Sequence, residues 1–190
     1  MAIKKLTVLL LLLGNLAAGV GIAHGRVYLT PKEALELAFP GADKIIKKKV
    51  WLDKKARAAI GEAAGQQIDD LSFQFYVGMA GEKVLGYMAI DDVIGKAEPI
   101  TYMIVFTPEG VVKRVEIMVY RESQGGEVRY RAFMKQYEGK TVNDPLRVGD
   151  DIRNISGATL SAFSITAGMK KMLAIFQYSF LGGTSPSEER

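Results

Sequence analysis

The chain has 190 residues, 48% of them hydrophobic, enough for one domain whose core buries roughly 70% of the unfolded surface. Cysteine is absent, which excludes a disulfide framework, a lipobox, an iron–sulfur cluster and a thiol nucleophile; the one histidine, His24, lies in the N-terminal segment. Beyond that segment the usual haem and zinc ligation and any histidine-dependent triad are excluded, and the net charge of +4 owes half its value to Lys4 and Lys5.

Those two lysines precede the apolar run Leu6-Thr7-Val8-Leu9-Leu10-Leu11-Leu12-Leu13, the pattern of a targeting segment over residues 1–25. Small residues at Ala23 and Gly25 suit signal peptidase and make Arg26 the mature start. The alternative is an uncleaved anchor, since residues 6–23 approach the minimum length of a membrane span. Either way the domain, 26–181, is expected outside the cytoplasmic membrane, periplasmic or held at the membrane surface.

Thr30-Pro31-Lys32-Glu33 supplies an N-cap, a proline at the first helical position and the glutamate of a capping box. The helix it opens buries Ala34, Leu35, Leu37, Ala38 and Phe39, and Pro40-Gly41 stops it. A strand is expected at 48–52, with Trp51 in the core. Asp53 then caps a second helix reaching about Ala64, ended by Gly65. Lys44, Lys47, Lys48 and Lys49, with Lys54, Lys55 and Arg57 just beyond, read as a solvated face. Their alternative role is a docking patch for an acidic partner or lipid headgroups. No nucleic-acid module is recognisable, so no nucleic-acid partner is expected.

Residues 71–120 read as antiparallel sheet. Leu71, Phe73, Phe75 and Val77 alternate with Ser72, Gln74 and Tyr76, the period of a half-buried strand. Gly81-Glu82 turns into a strand over 83–94, and Pro108-Glu109-Gly110 joins 101–107 to 111–120. Asp69-Asp70 and Asp91-Asp92 are assigned to turns. The predicted fold is α+β, one antiparallel sheet of about four to six strands packed by helices in a single domain.

Arg121-Glu122-Ser123-Gln124-Gly125-Gly126 is a flexible loop in which glycine permits positive φ and close backbone approach. A helix is expected over 127–137, with Phe133, Met134 and Tyr137 buried, and a polar connection follows. In the terminal helix, Ala162, Ile165, Met169, Met172, Leu173 and Phe176 form a core-facing stripe. Ser161, Ser164, Gly168 and Lys171 fall on another side, either exposed or close to a neighbouring group. The tail 182–190 has the composition of a disordered segment.

Between the polar connection and the terminal helix lies Asn154-Ile155-Ser156-Gly157-Ala158-Thr159. Asn154, Ser156 or Thr159 can cap the helix, and small residues at a helix start let an anion approach the backbone. By itself this is a candidate phosphate site. Ser156-Gly157-Ala158-Thr159, however, resembles the attachment motif of the FMN-binding domain family. That family includes the flavin subunits of Rnf-type and sodium-pumping NADH:quinone oxidoreductase complexes. Arg121–Gly126 resembles the family's Glu-Thr-Pro-Gly loop, with Ser123 and Gln124 in place of threonine and proline. Phe133-x-x-Gln136-Tyr137-x-Gly139-Lys140 is similar to another family segment, so the likeness covers roughly 70–175.

The resemblance implies FMN as cofactor, esterified through its phosphate to Thr159 by a separate flavin transferase. It places Ser156, Gly157, Ala158 and Leu160 beside that residue, with Glu122, Ser123 and Gly125 from the loop. It also implies an electron carrier whose redox partners are membrane-bound. A flavin-dependent reductase of a small extracellular substrate and a flavin-free binding module are the alternatives. Two positions depart from the family motif. Arg153 stands where an aspartate is usual, and Asp151 can replace that aspartate only if the loop bulges; Ser161 stands where threonine is common.

Overall fold

The computed structural model describes residues 25–182. All but Gly25 of the expected targeting segment, and all but Gly182 of the expected disordered tail, lie outside the described residues.

Six antiparallel strands form one sheet in the order β1-β6-β5-β4-β3-β2. β3 (Ser72–Ala80), β4 (Lys83–Ile94), β5 (Pro99–Phe106) and β6 (Val112–Tyr120) are a meander, because their short connections leave each strand only its sequence neighbour to pair with. β2 (Lys44–Trp51) pairs with β3 from Lys44↔Met79 to Trp51↔Ser72 and forms one edge. Two residues, β1 (Arg26–Val27), pair with Tyr120 and Val119 at the other edge, a strand too short for a periodicity signal.

Helices cover both faces. On one, α1 (Pro31–Ala38) packs Ala34 and Ala38, with Phe39 just beyond, against Met88, Met103, Val105 and Met118. Its start is the expected capping box, with the Thr30 amide donating to Glu33 Oε2 at 2.8 Å. Phe39 needs Gly78 beneath it, since a Cβ there would come within 2.4 Å of the ring. On the other face, α2 (Lys54–Ala64) and α4 (Thr159–Phe176) close the larger core. Asp53 Oδ1 caps α2 through the Ala56 amide at 2.7 Å, and Gly65 ends it at φ +66°. The expected stripe on α4 is buried, and Phe176 stacks on Phe106 at 4.5 Å between ring centres.

Several local expectations are corrected. Trp51 is 58% exposed and packs in no core. As the last residue of an edge strand, it has a neighbouring strand on one side only. Leu71, at 57% exposure, precedes β3 instead of lying in it. Asp91-Asp92 sits inside β4, not in a turn. Asp91 accepts from Tyr102 at 2.7 Å and pairs with Lys171 at 2.9 Å, which makes it an interior tie between β4, β5 and α4. The helix expected over 127–137 is three short turns: 3-10 at Gly126–Arg129, α3 at Arg131–Met134, and 3-10 again at Lys135–Tyr137. Tyr130, extended at ψ 134°, breaks the run, and the break lets Val128, Phe133, Met134 and Tyr137 each reach the core.

Candidate functional site

The approach to α4 is held from below. Asp151 accepts the Arg147 amide at 2.7 Å and the Leu146 amide at 3.2 Å, and pairs with Lys140 Nζ at 2.8 Å. Lys140 also reaches Asp144, which accepts the Thr141 amide at 2.8 Å. Burial acts to raise the Asp151 pKa, but the Arg147 amide and the Lys140 ammonium outweigh it and hold it below the ordinary value. Asp151 is thus committed to the base of the loop. Arg153 is exposed, its amide fixed by Gln136 Oε1 at 2.7 Å.

Above this base the chain turns at Gly157, φ +82°, and enters α4 at Thr159. The N-cap is Ala158, and no side chain caps the helix. None of Asn154, Ser156 and Thr159 does so, which corrects the capping expectation. Asn154 Nδ2 instead donates to Thr159 Oγ1 at 3.2 Å. The first turn therefore presents amides without a side-chain acceptor at the positive end of the helix dipole. Thr159 and Leu160 are exposed; Ala158 is buried.

The loop after β6 lies across from this turn. Tyr120, the last residue of β6, donates its hydroxyl to Gln124 O at 2.6 Å and lies 3.0 Å from Ser161 Oγ. Gly125 sits at φ +79° in the crook of that contact, where a Cβ would be 2.8 Å from the Tyr120 hydroxyl and 3.1 Å from Ser161 Oγ. Glu122 Oε1 accepts the amides of Glu98, at 3.0 Å, and Ala97, at 2.6 Å. Those bonds keep its pKa low and tie the loop to the β4–β5 turn.

Between loop and helix is an open cavity of about 420 Å³. Residues 122–125 form one wall, 157–161 the other, and Lys96 stands at the rim. Seven of the eight site residues expected from sequence line it: Thr159, Gly157, Ala158, Leu160, Glu122, Ser123 and Gly125. Ser156 does not; it is exposed on the turn outside. Sequence reasoning missed Lys96, Tyr120, the Asn154–Thr159 bond and the role of Ser161. Ser161 carried a signal, a small polar residue two positions into the helix from Thr159. Lys96, some sixty positions upstream, carried none.

Residues 95–174 match the family model of the FMN-binding domain. The chain carries an FMN-binding domain. The match begins at the β4–β5 turn and runs almost to the end of α4, so it encloses every residue that lines the cavity. The fold is also that of NqrC from Shewanella oneidensis, with a TM-score of 0.52 at 14% identity, covering 73% of this chain and 83% of that one. No curated protein matches the chain.

FMN is accordingly the cofactor of this domain, and the cavity fits it. Its volume lies within the range of small-molecule sites. Uncapped amides and the Lys96 ammonium suit a phosphate, and glycines at 125 and 157 keep the walls low.

Proposed function

We propose that the domain holds FMN covalently on Thr159 and serves as an extracytoplasmic electron carrier between a membrane redox complex and another acceptor. The observation that supports this best is the place of Thr159, an exposed residue on the uncapped first turn of α4 that lines the cavity. The likeness of Ser156–Thr159 to the family's attachment motif adds to it.

The energetics favour a covalent bond. A helix N-terminus contributes about 0.3–1 kcal/mol toward an anion, up to about 2 when partly buried. Retaining a free cofactor at nanomolar strength takes about 12 kcal/mol. An open cavity with one cation at its rim does not close that gap, and outside the cytoplasm a lost cofactor is not replaced.

Thr159 is a poor nucleophile unaided. Its one side-chain partner is Asn154, which is no base. A flavin transferase must therefore supply the base that takes the hydroxyl proton. Thr159 Oγ1 then forms the new bond to phosphorus as the phosphoanhydride of an activated flavin donor breaks and its other half leaves. Exposure of Ser156, Gly157 and Thr159 gives such an enzyme access.

Once bound, FMN supplies one- or two-electron transfer at its ring. The α4 amides and Lys96 would hold its anionic end. Tyr120 and Ser161 fix the opposite wall, where Ser123 and the Gly125 backbone face the cavity. The targeting pattern of residues 1–25 supports a place outside the cytoplasmic membrane.

The test is a denatured sample of protein co-expressed with a competent flavin transferase. One FMN adduct on the Thr159 peptide, by mass and fluorescence, is the expected result. A bare chain would refute covalent carriage. Turnover of a small substrate by the loaded protein would favour the reductase reading, and unchanged partner binding by colourless Thr159→Ala would favour a flavin-free module.

A further inference from the structure

β2 and the start of α2 form a surface that the flavin cavity does not use. From residue 43 to 57 the chain carries Lys44, Lys47, Lys48, Lys49, Lys54, Lys55 and Arg57, against only Asp43 and Asp53. Both acids are engaged locally: Asp43 accepts the Gly81 amide at 2.7 Å, and Asp53 caps α2. The six lysines are exposed, and none forms an ion pair with a described residue.

Alternation along β2 puts Lys47, Lys49 and Trp51 on one face, opposite Tyr76, Gln74 and Ser72 of β3. Lys49 Nζ lies 4.1 Å from the centre of the Trp51 ring. Leu71, also exposed, ends the same pairing, its carbonyl accepting the Leu52 amide at 2.8 Å. Ile45 and Ile46 are exposed on the same strand.

We propose that this edge of the sheet docks on a membrane surface rich in anionic lipid headgroups. Lysines on a sheet edge also discourage strand addition, but that accounts for the charge and not for exposed Trp51 and Leu71 at the end of the same edge. The composition separates lipid from an acidic protein partner. Protein interfaces are depleted in lysine and enriched in arginine, and residues 43–57 hold six lysines to one arginine, Lys47 and Lys49 on the Trp51 face and Lys44 and Lys48 turned the other way along the same edge strand. Lysine stems cover apolar surface while the ammonium groups stay in water, tryptophan favours the headgroup level, and anionic leaflets attract clustered lysines. β2 lies four strands from β6, about 19 Å at the usual spacing. The β6 side of the flavin cavity is thus set apart from this edge.

Trp51 is the chain's only tryptophan, so its emission reports on this face alone. The full chain is titrated with phosphatidylglycerol–phosphatidylcholine vesicles and with phosphatidylcholine vesicles. The expected result is a blue shift of Trp51 emission on the anionic vesicles only, reversed by high salt. Replacing Lys47→Gln and Lys49→Gln together should weaken partitioning about thirty-fold at low salt, with the far-UV spectrum unchanged. Anionic vesicles that leave Trp51 emission unmoved would overturn the proposal, even if the chain sediments with them through residues 1–25. So would a double variant that partitions like the parent, or binding of soluble polyglutamate in place of vesicles, which would assign the face to an acidic partner. None of these outcomes depends on flavin attachment.

Discussion

The hydroxyls of Tyr120 and Ser161, one at the end of β6 and one in the first turn of α4, meet at 3.0 Å in a buried contact. Tyr120 spends its single proton on Gln124 O, so Ser161 must be the donor between them. Burial raises the Tyr120 pKa, which keeps that proton in place at neutral pH. The pair joins the two walls of the cavity. Tyr120→Phe should cost about 1–3 kcal/mol and Ser161→Ala about 1 kcal/mol in denaturant unfolding. The double variant should show a coupling of about 0.5–1.5 kcal/mol; simple additivity would mean that the contact is incidental.

Gly125 makes that contact possible. Alanine there combines a φ of +79° with a Cβ 2.8 Å from the Tyr120 hydroxyl. The left-handed backbone alone costs about 1–2 kcal/mol. Gly125→Ala should therefore lose more stability than Ser161→Ala and should mobilise residues 121–126, read as faster amide exchange confined to that loop.

Thr159 separates chemistry from stability. It is exposed and its side chain makes one bond, to Asn154. Thr159→Ala should stay within about 0.5 kcal/mol of the parent in thermal unfolding while abolishing the flavin adduct. Asn154→Ala should keep the adduct but slow its formation several-fold in a timed assay with the transferase.

Asp151 predicts a pH dependence. Its pKa in the folded chain lies below the ordinary aspartate value of 3.8, so its contribution is complete above that value and is lost as pH falls through the lowered one. Asp151→Asn should be less stable by about 1–3 kcal/mol at pH 7. The difference from the parent should shrink as the pH falls below about 4, followed by urea midpoints at successively lower pH.

Lys171 and Asp91 form the interior ion pair, with side chains 12% and 11% exposed. Lys171→Met leaves Asp91 with Tyr102 alone and should cost about 3–5 kcal/mol, whereas Lys171→Met combined with Asp91→Asn should recover much of the loss. Calorimetric melting of the three variants gives the comparison.

Local chemistry was legible in the sequence where a short segment decides its own conformation. The Thr30–Glu33 capping box, the Asp53 cap, the Gly65 stop and the strand alternation of β3 all depend on neighbours within a few residues. So did the stripe on α4, whose spacing alone assigns six core positions. The misread residues are those whose environment is set by distant chain. Trp51 looked like core because apolar bulk normally is, yet β2 turned out to be an edge. Asp91-Asp92 looked like a turn because paired acids rarely sit inside a strand, yet Lys171, eighty positions on, neutralises one of them.

The site divides along the same line. The residues around Thr159 and in the 122–125 loop were readable as two separate motifs, because each is a contiguous run of small and polar side chains. That they face each other across one cavity, with Lys96 at its rim and Tyr120 and Ser161 pinning the walls, was decided only when β6 and α4 packed together. Spacing along the chain records what a turn of helix or a strand can do, but it carries no distance between residues forty positions apart; only the closed core sets that.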